Sequence, residues 1–232
     1  ANQITGKLYT WNMGVSEYFF LRQANHMLVN ENARLREMLK EPHFVSDTAK
    51  FVINDSVAPQ QFTYIPARVI SNSINKRNNY LMLDKGRKHG VDREMAVISP
   101  DGVVGIVVNV SENYAWVMSV LNKNSRINAR LTRNNYQGSL TWDGHDYRIG
   151  MLSDVPSHAH IEKGDTVVTS GYSLMFPGNI MIGTVEDFFI ERGDHFYTLK
   201  LNFSVDYNRL SHVYVVNNLM RDEQMSIIEE IF

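Results

Sequence analysis

EKGDTVVTSGYSLMFPGNIMIGTV, residues 162–185, decides how the rest of the chain is read. It passes from a glycine turn at Gly164 through the β-branched run Thr166–Thr169 to Ser170 and Gly171. A second turn ends at Gly178, and a strand carrying an internal glycine, Gly183, follows. KHGVDREMAVISPDGVVGIV, residues 88–107, repeats that order with Gly90, Ser99, Gly102 and an internal Gly105. A glycine inside a strand marks a bulge or a sharp bend, which a small closed barrel needs at its corners. Two copies of one unit point to two similar small β-barrels and make Gly105, Gly171, Gly178 and Gly183 structural residues.

Outward from these stretches the hydrophobic period stays at two. Ile127, Ala129 and Leu131 alternate with Asn128, Arg130 and Thr132, and Leu199, Leu201, Phe203 and Val205 alternate with Thr198, Lys200, Asn202 and Ser204. Short apolar runs at 69–70, 80–83, 95–98, 103–110, 115–120 and 212–216 are bounded by turn signals such as Asp84-Lys85-Gly86 and Trp142-Asp143-Gly144. The body is therefore mainly β, of sandwich or barrel type.

The first forty residues follow a different rule. Leu21, Leu28 and Leu35 recur every seven positions, Met38 and Leu39 close the series, and neither Gly nor Pro occurs from Val15 to Glu41. That pattern predicts a helix able to pair as a short coiled coil, ended by Pro42. The expected organisation is a helical coiled-coil stalk at 1–41 and a linker at 42–62. The first barrel follows at 63–122, with 206–218 as the segment that would complete it, then a second barrel at 123–205 and a tail at 219–232.

The chain has 232 residues, 44% of them apolar, with 23 Lys+Arg against 25 Asp+Glu for a net charge of −2. That balance carries neither the basic footprint of a nucleic-acid binder nor a polybasic membrane anchor. Cysteine is absent, which excludes disulfides, thiolate nucleophiles and Cys-containing zinc sites. His158 and His160, near Asp154 and Glu162, are a metal candidate by composition only. Pro156 and Ser157 make the segment a loop, and no second ligand cluster has recognisable spacing, so neither metal nor cofactor is expected. Ser170 is the best candidate nucleophile, yet Val168 and Tyr172 occupy the positions where a nucleophile elbow needs glycine. Thr169-Ser170-Gly171 reads more simply as a strand closing into a turn. Lys123, Arg126, Arg130 and Arg133 form the most basic stretch, and Arg130 falls on the polar side of an alternating strand.

Taken together, these segments resemble the bacterial MreC family of rod shape-determining proteins. The resemblance runs through the Leu28-x-x-Glu31-Asn32-x-x-Leu35-x-x-x-Leu39 heptad, Tyr64–Ile70, Leu83–Gly86, His89–Val91, Gly102–Gly105, Lys163–Gly171, Phe176–Ile180 and Ile182–Val185. Ile4–Phe19 is similar to the membrane-proximal segment of Bacteroidetes-type members. The resemblance implies a non-enzymatic scaffold of the cell-elongation machinery that organises peptidoglycan synthases and maintains cell shape. It implies homodimers, with filaments as an extension, and partners among penicillin-binding transpeptidases and other elongation-machinery membrane proteins. It also implies a periplasmic location, anchored to the inner membrane by a helix upstream of Ala1. The family's arrangement of two barrels is similar to that of trypsin-like proteases without their catalytic residues; a cell-envelope hydrolase or sugar-binding module is the alternative class. For the partner surface, Met175 and Phe176 in an apolar turn and the consecutive Phe188 and Phe189 are the candidates. The two barrels either bury them against each other or expose them as a contact patch.

Overall fold

The computed structural model describes residues 27–35, 61–190, 193 and 195–229. Residues 1–39 and 40–232 form two separate units. In the first, residues 27–35 are helical (α1), with Arg34 and Glu31 paired one turn apart. Leu28 and Leu35 lie on α1 and are 62% and 48% exposed, so their side chains are not covered in the single chain. Leu21, Met38 and Leu39, and nearly all of the expected linker, lie outside the described residues.

The second unit holds two closed barrels of six strands each, every pairing antiparallel. The first contains β1 (Phe62–Asn72), β2 (Asn78–Leu83), β3 (Ala96–Ser99), β4 (Gly102–Val110), β5 (Ala115–Asn122) and β12 (His212–Asn218), in the order β1-β12-β3-β4-β5-β2. The second contains β6 (Ile127–Leu131), β7 (Gln137–Thr141), β8 (Ile149–Pro156), β9 (Thr166–Thr169), β10 (Met181–Ile190) and β11 (Phe196–Phe203), in the order β10-β11-β8-β7-β6-β9. The chain thus enters the second barrel from β5 and returns to close the first with β12.

The alternating residues behave as a half-buried strand requires. Ile127, Ala129 and Leu131 are buried while Asn128 is exposed and Arg130 half-buried. By contrast β3 is buried at all four positions, and β4 at its first six, as continuous apolar runs predict for strands covered on both faces. One cause is the second barrel itself. The space a side chain would need at Gly102 is taken by the Met181 carbonyl oxygen, 2.2 Å from an ideal Cβ position. Near by, the fully buried Tyr207 donates its hydroxyl hydrogen to the Val103 carbonyl at 2.9 Å and meets Phe203 edge to face.

The repeated glycines do equivalent work in the two barrels. A Cβ on Gly105 would sit 2.2 Å from the Met118 oxygen on β5, and one on Gly183 would sit 2.1 Å from the Asn202 oxygen on β11. Gly171 and Gly178 bring the two ends of the β9–β10 turn together, with 3.2 Å between a Gly171 Cβ and the Gly178 Cα.

Two features depart from the sequence expectation. Residues 149–156, to which the sequence reading assigns no strand, form β8, and the loop expected around His158 and His160 begins after Pro156. The expected tail carries helix α2 (Arg221–Glu229), whose first turn holds Asp222 and Glu223 where the helix N-terminus favours negative charge.

Candidate partner-binding surface

Strands β10 and β11 end in a hairpin whose pairing runs Phe188 to Leu199, Phe189 to Thr198 and Ile190 to Tyr197. Neighbouring residues of a strand point to opposite faces. Phe189 and Ile190 are nevertheless both 43% exposed, and Phe196 is 44% exposed. The hairpin end therefore offers apolar surface on both of its faces. Phe188 is half-buried and packs edge to face on Tyr197, centroids 5.5 Å apart, which fixes the base of the patch. Lys163 pairs with Asp187 at 2.9 Å beside it and holds that carboxyl below its ordinary range, with the Phe188 N–H adding to the effect.

The other two candidates belong to a different environment. Phe176 is 2% exposed, a core residue, and this corrects any reading of it as contact surface. The reason is local: the buried Thr169 hydroxyl donates to the Pro177 carbonyl at 2.6 Å and accepts from the Ile180 N–H at 2.9 Å, folding the turn back onto the barrel. Met175 is half-buried in the same turn and lines a cavity described below. The four residues thus form two groups rather than one patch.

A second apolar face escaped the sequence reading. On the first barrel Tyr80 and Trp116 stack at 5.5 Å with an interplanar angle of 21°, and Tyr114 and Met82 border a shallow 240 Å³ hollow next to Trp116. Tyr80 and Met82 alternate with the buried Leu81 and Leu83, a period masked by the uniformly apolar run Tyr80–Leu83.

The chemistry-bearing residues fall into structural roles. The Ser170 hydroxyl accepts from the Tyr172 N–H at 3.2 Å, and the Ser170 N–H donates to the Asn128 carbonyl at 3.1 Å. Among the described residues no histidine or carboxylate bonds to it. His160 meets Glu162 at 3.0 Å, whereas His158 packs edge to face on Tyr136, so the two imidazoles have separate partners. Arg133 donates to Asp165 and to Glu162, each at 2.7 Å, stapling the β6–β7 turn to the loop before β9. Arg130 bonds Asn135 and Asn179. Half of the basic stretch is thereby occupied within its own barrel. Arg148 holds the Asp146 carboxyl down at about 2, through its guanidinium first and its N–H second.

Residues 69–217 match the family model described as "Rod shape-determining protein MreC, barrel core". The cell shape-determining protein MreC of Listeria monocytogenes is 29% identical over 201 residues, 80% of this chain and 68% of that protein. The chain spans between 38% and 68% of the length of the curated relatives of that name. A solved MreC structure from the same Listeria species superposes with a TM-score of 0.64 at 27% identity, covering 90% of this chain and 94% of that one. The complex between penicillin-binding protein PBP2 and MreC from Helicobacter pylori contains a chain with the same fold. It has a TM-score of 0.54 at 18% identity and covers 68% of this chain and all of that one.

Proposed function

The chain belongs to the MreC family of rod shape-determining proteins, and from that premise we propose that it is a non-enzymatic scaffold of the bacterial cell-elongation machinery. In this reading it organises peptidoglycan synthases outside the inner membrane and so maintains cell shape. The observation that carries the reading is the span of the family match, which takes in strands of both barrels. The Helicobacter relative's complex with PBP2 favours a penicillin-binding transpeptidase as the partner. The apolar end of the β10–β11 hairpin supplies a surface suited to it, since large aromatic side chains dominate the energetics of such contacts. Ser170 supports a non-catalytic role, because its hydroxyl is engaged by its own turn.

The stalk completes the proposal. Leu28 and Leu35 are exposed on α1 at heptad spacing, and pairing with a second copy would cover them. A coiled coil of about three heptads is marginal alone in water, so tethering at a membrane would raise its effective concentration. Among the described residues no helix is long and apolar enough to cross a membrane, and an anchor preceding the stalk belongs to the proposal. The test is co-elution of the chain with the extracytoplasmic domain of a penicillin-binding transpeptidase from the same cells. A stable complex is expected; separate elution at micromolar concentrations would remove the scaffold reading.

A further inference from the structure

Where the end of β12, the turn carrying Leu174 and Met175, and the start of α2 meet, they enclose a cavity of about 250 Å³. Its apolar wall comes from Met95, Leu174, Met175 and Val216, and its rim from Asp92, Glu94 and Asp222. Asn218 ties these parts together. Its side-chain amide donates to the Leu174 carbonyl and the Gln224 side chain, each at 2.9 Å, and its oxygen accepts from the Met220 N–H at 3.0 Å. Arg221 pairs with Glu94 and closes one side. Asp92 and Asp222 are exposed and form no ion pair among the described residues; the N-terminus of α2 offsets part of the Asp222 charge, and the rim as a whole keeps a negative balance.

We propose that this cavity is a docking site for an extended, cationic segment of an extracytoplasmic protein, with one bulky aliphatic side chain in the cavity and a Lys or Arg beside it at the rim. The volume falls below the range of about 300–1,000 Å³ typical of small-molecule sites, which suits a single side chain better than a whole cofactor. The apolar wall selects an aliphatic or thioether group, and flexible methionines let the wall repack around it. The aspartates without an ion pair, Asp92 foremost, select the sign of the flanking charge and would speed encounter at low salt. The site lies on different segments from the β10–β11 hairpin, and its occupancy does not depend on the synthase reading.

The test uses the full chain and a dye-labelled peptide, Gly-Lys-Leu-Lys-Gly, followed by fluorescence anisotropy. Saturable binding is expected, weakening steeply between about 50 and 500 mM salt. The double variant Asp92→Asn/Asp222→Asn, changed only at exposed positions, should weaken it about tenfold. Met175→Trp should fill the cavity and abolish binding while the melting temperature stays within about 2 °C of the parent. The control Gly-Glu-Leu-Glu-Gly should not bind. Absence of saturable binding, equal binding of the acidic peptide, or unchanged affinity in the charge variant would each overturn the assignment. Loss of this peptide without loss of transpeptidase co-elution would separate the cavity from the hairpin.

Discussion

Replacing Gly183 by alanine puts a methyl carbon 2.1 Å from the Asn202 carbonyl oxygen on β11. Real Cβ contacts almost never fall below 3.0 Å, so β10 and β11 must separate locally by about 0.9 Å. The obstacle is backbone, not the flexible end of a side chain, and the pairs Gly183–Phe203 and Thr184–Asn202 lie at that point of the ladder. Losing good geometry in two ladder hydrogen bonds costs about 1 kcal/mol each, and the overpacking adds about 1–3 kcal/mol. A total of about 3–5 kcal/mol lowers the melting temperature of a body this size by about 6–20 °C. Gly164→Ala is the control. Its φ of +93° is unfavourable for alanine, but nothing lies within 4 Å of the added carbon. It should cost about 1–2 kcal/mol from backbone conformation alone. Thermal unfolding followed by circular dichroism separates the two. If Gly183→Ala melts with or above Gly164→Ala, close strand approach is not what requires glycine at 183, and the same reasoning fails at Gly105.

Tyr207→Phe should leave the Val103 carbonyl without its buried donor and cost about 1–3 kcal/mol, read as a lower urea midpoint at unchanged slope. Asp146 has a depressed carboxyl value, so the stability it contributes is present above the ordinary value of 3.8 and is lost as pH falls through about 2. A carbon-detected NMR titration should place its midpoint near 2, and Arg148→Ala should move that midpoint back up toward 3.8. Leu28→Asp with Leu35→Asp should abolish concentration-dependent dimers in sedimentation while leaving the barrels' melting unchanged; an unaltered mass would show that the heptad line is not the contact.

The parts of the fold legible in the sequence are those where burial follows a simple period. Ile127, Ala129 and Leu131 announce β6 because only one face is buried, and the apolar run Ala96–Ile98 announces β3 because both are. Strands β7 and β8 stay hidden because their glycines dilute the pattern for tertiary reasons. A Cβ on Gly138 would meet the Ser153 oxygen at 2.4 Å, and one on Gly150 would meet the Phe203 ring at 2.6 Å. Those neighbours come from other strands, so local propensity cannot foresee them. The candidate surface was half legible for the same reason. Consecutive Phe188 and Phe189 signal a strand too apolar for one buried face, and Phe189 is indeed exposed. Phe176 carries the same compositional signal but is buried, because Thr169 folds its turn inward. The Tyr80–Trp116 stack joins residues on strands that only the β2–β5 pairing makes neighbours.

The most direct measurement is the affinity of the full chain for the extracytoplasmic domain of a penicillin-binding transpeptidase from the same cells, by calorimetry, for the parent and for Phe189→Glu. Phe189 is exposed, so the variant should melt with the parent. An aromatic anchor at the centre of a contact is worth 2 kcal/mol or more, so binding should weaken at least about thirtyfold. Unchanged affinity in a normally folded Phe189→Glu protein would contradict the docking of the synthase on the β10–β11 hairpin, and no measurable binding by the parent would contradict the scaffold itself.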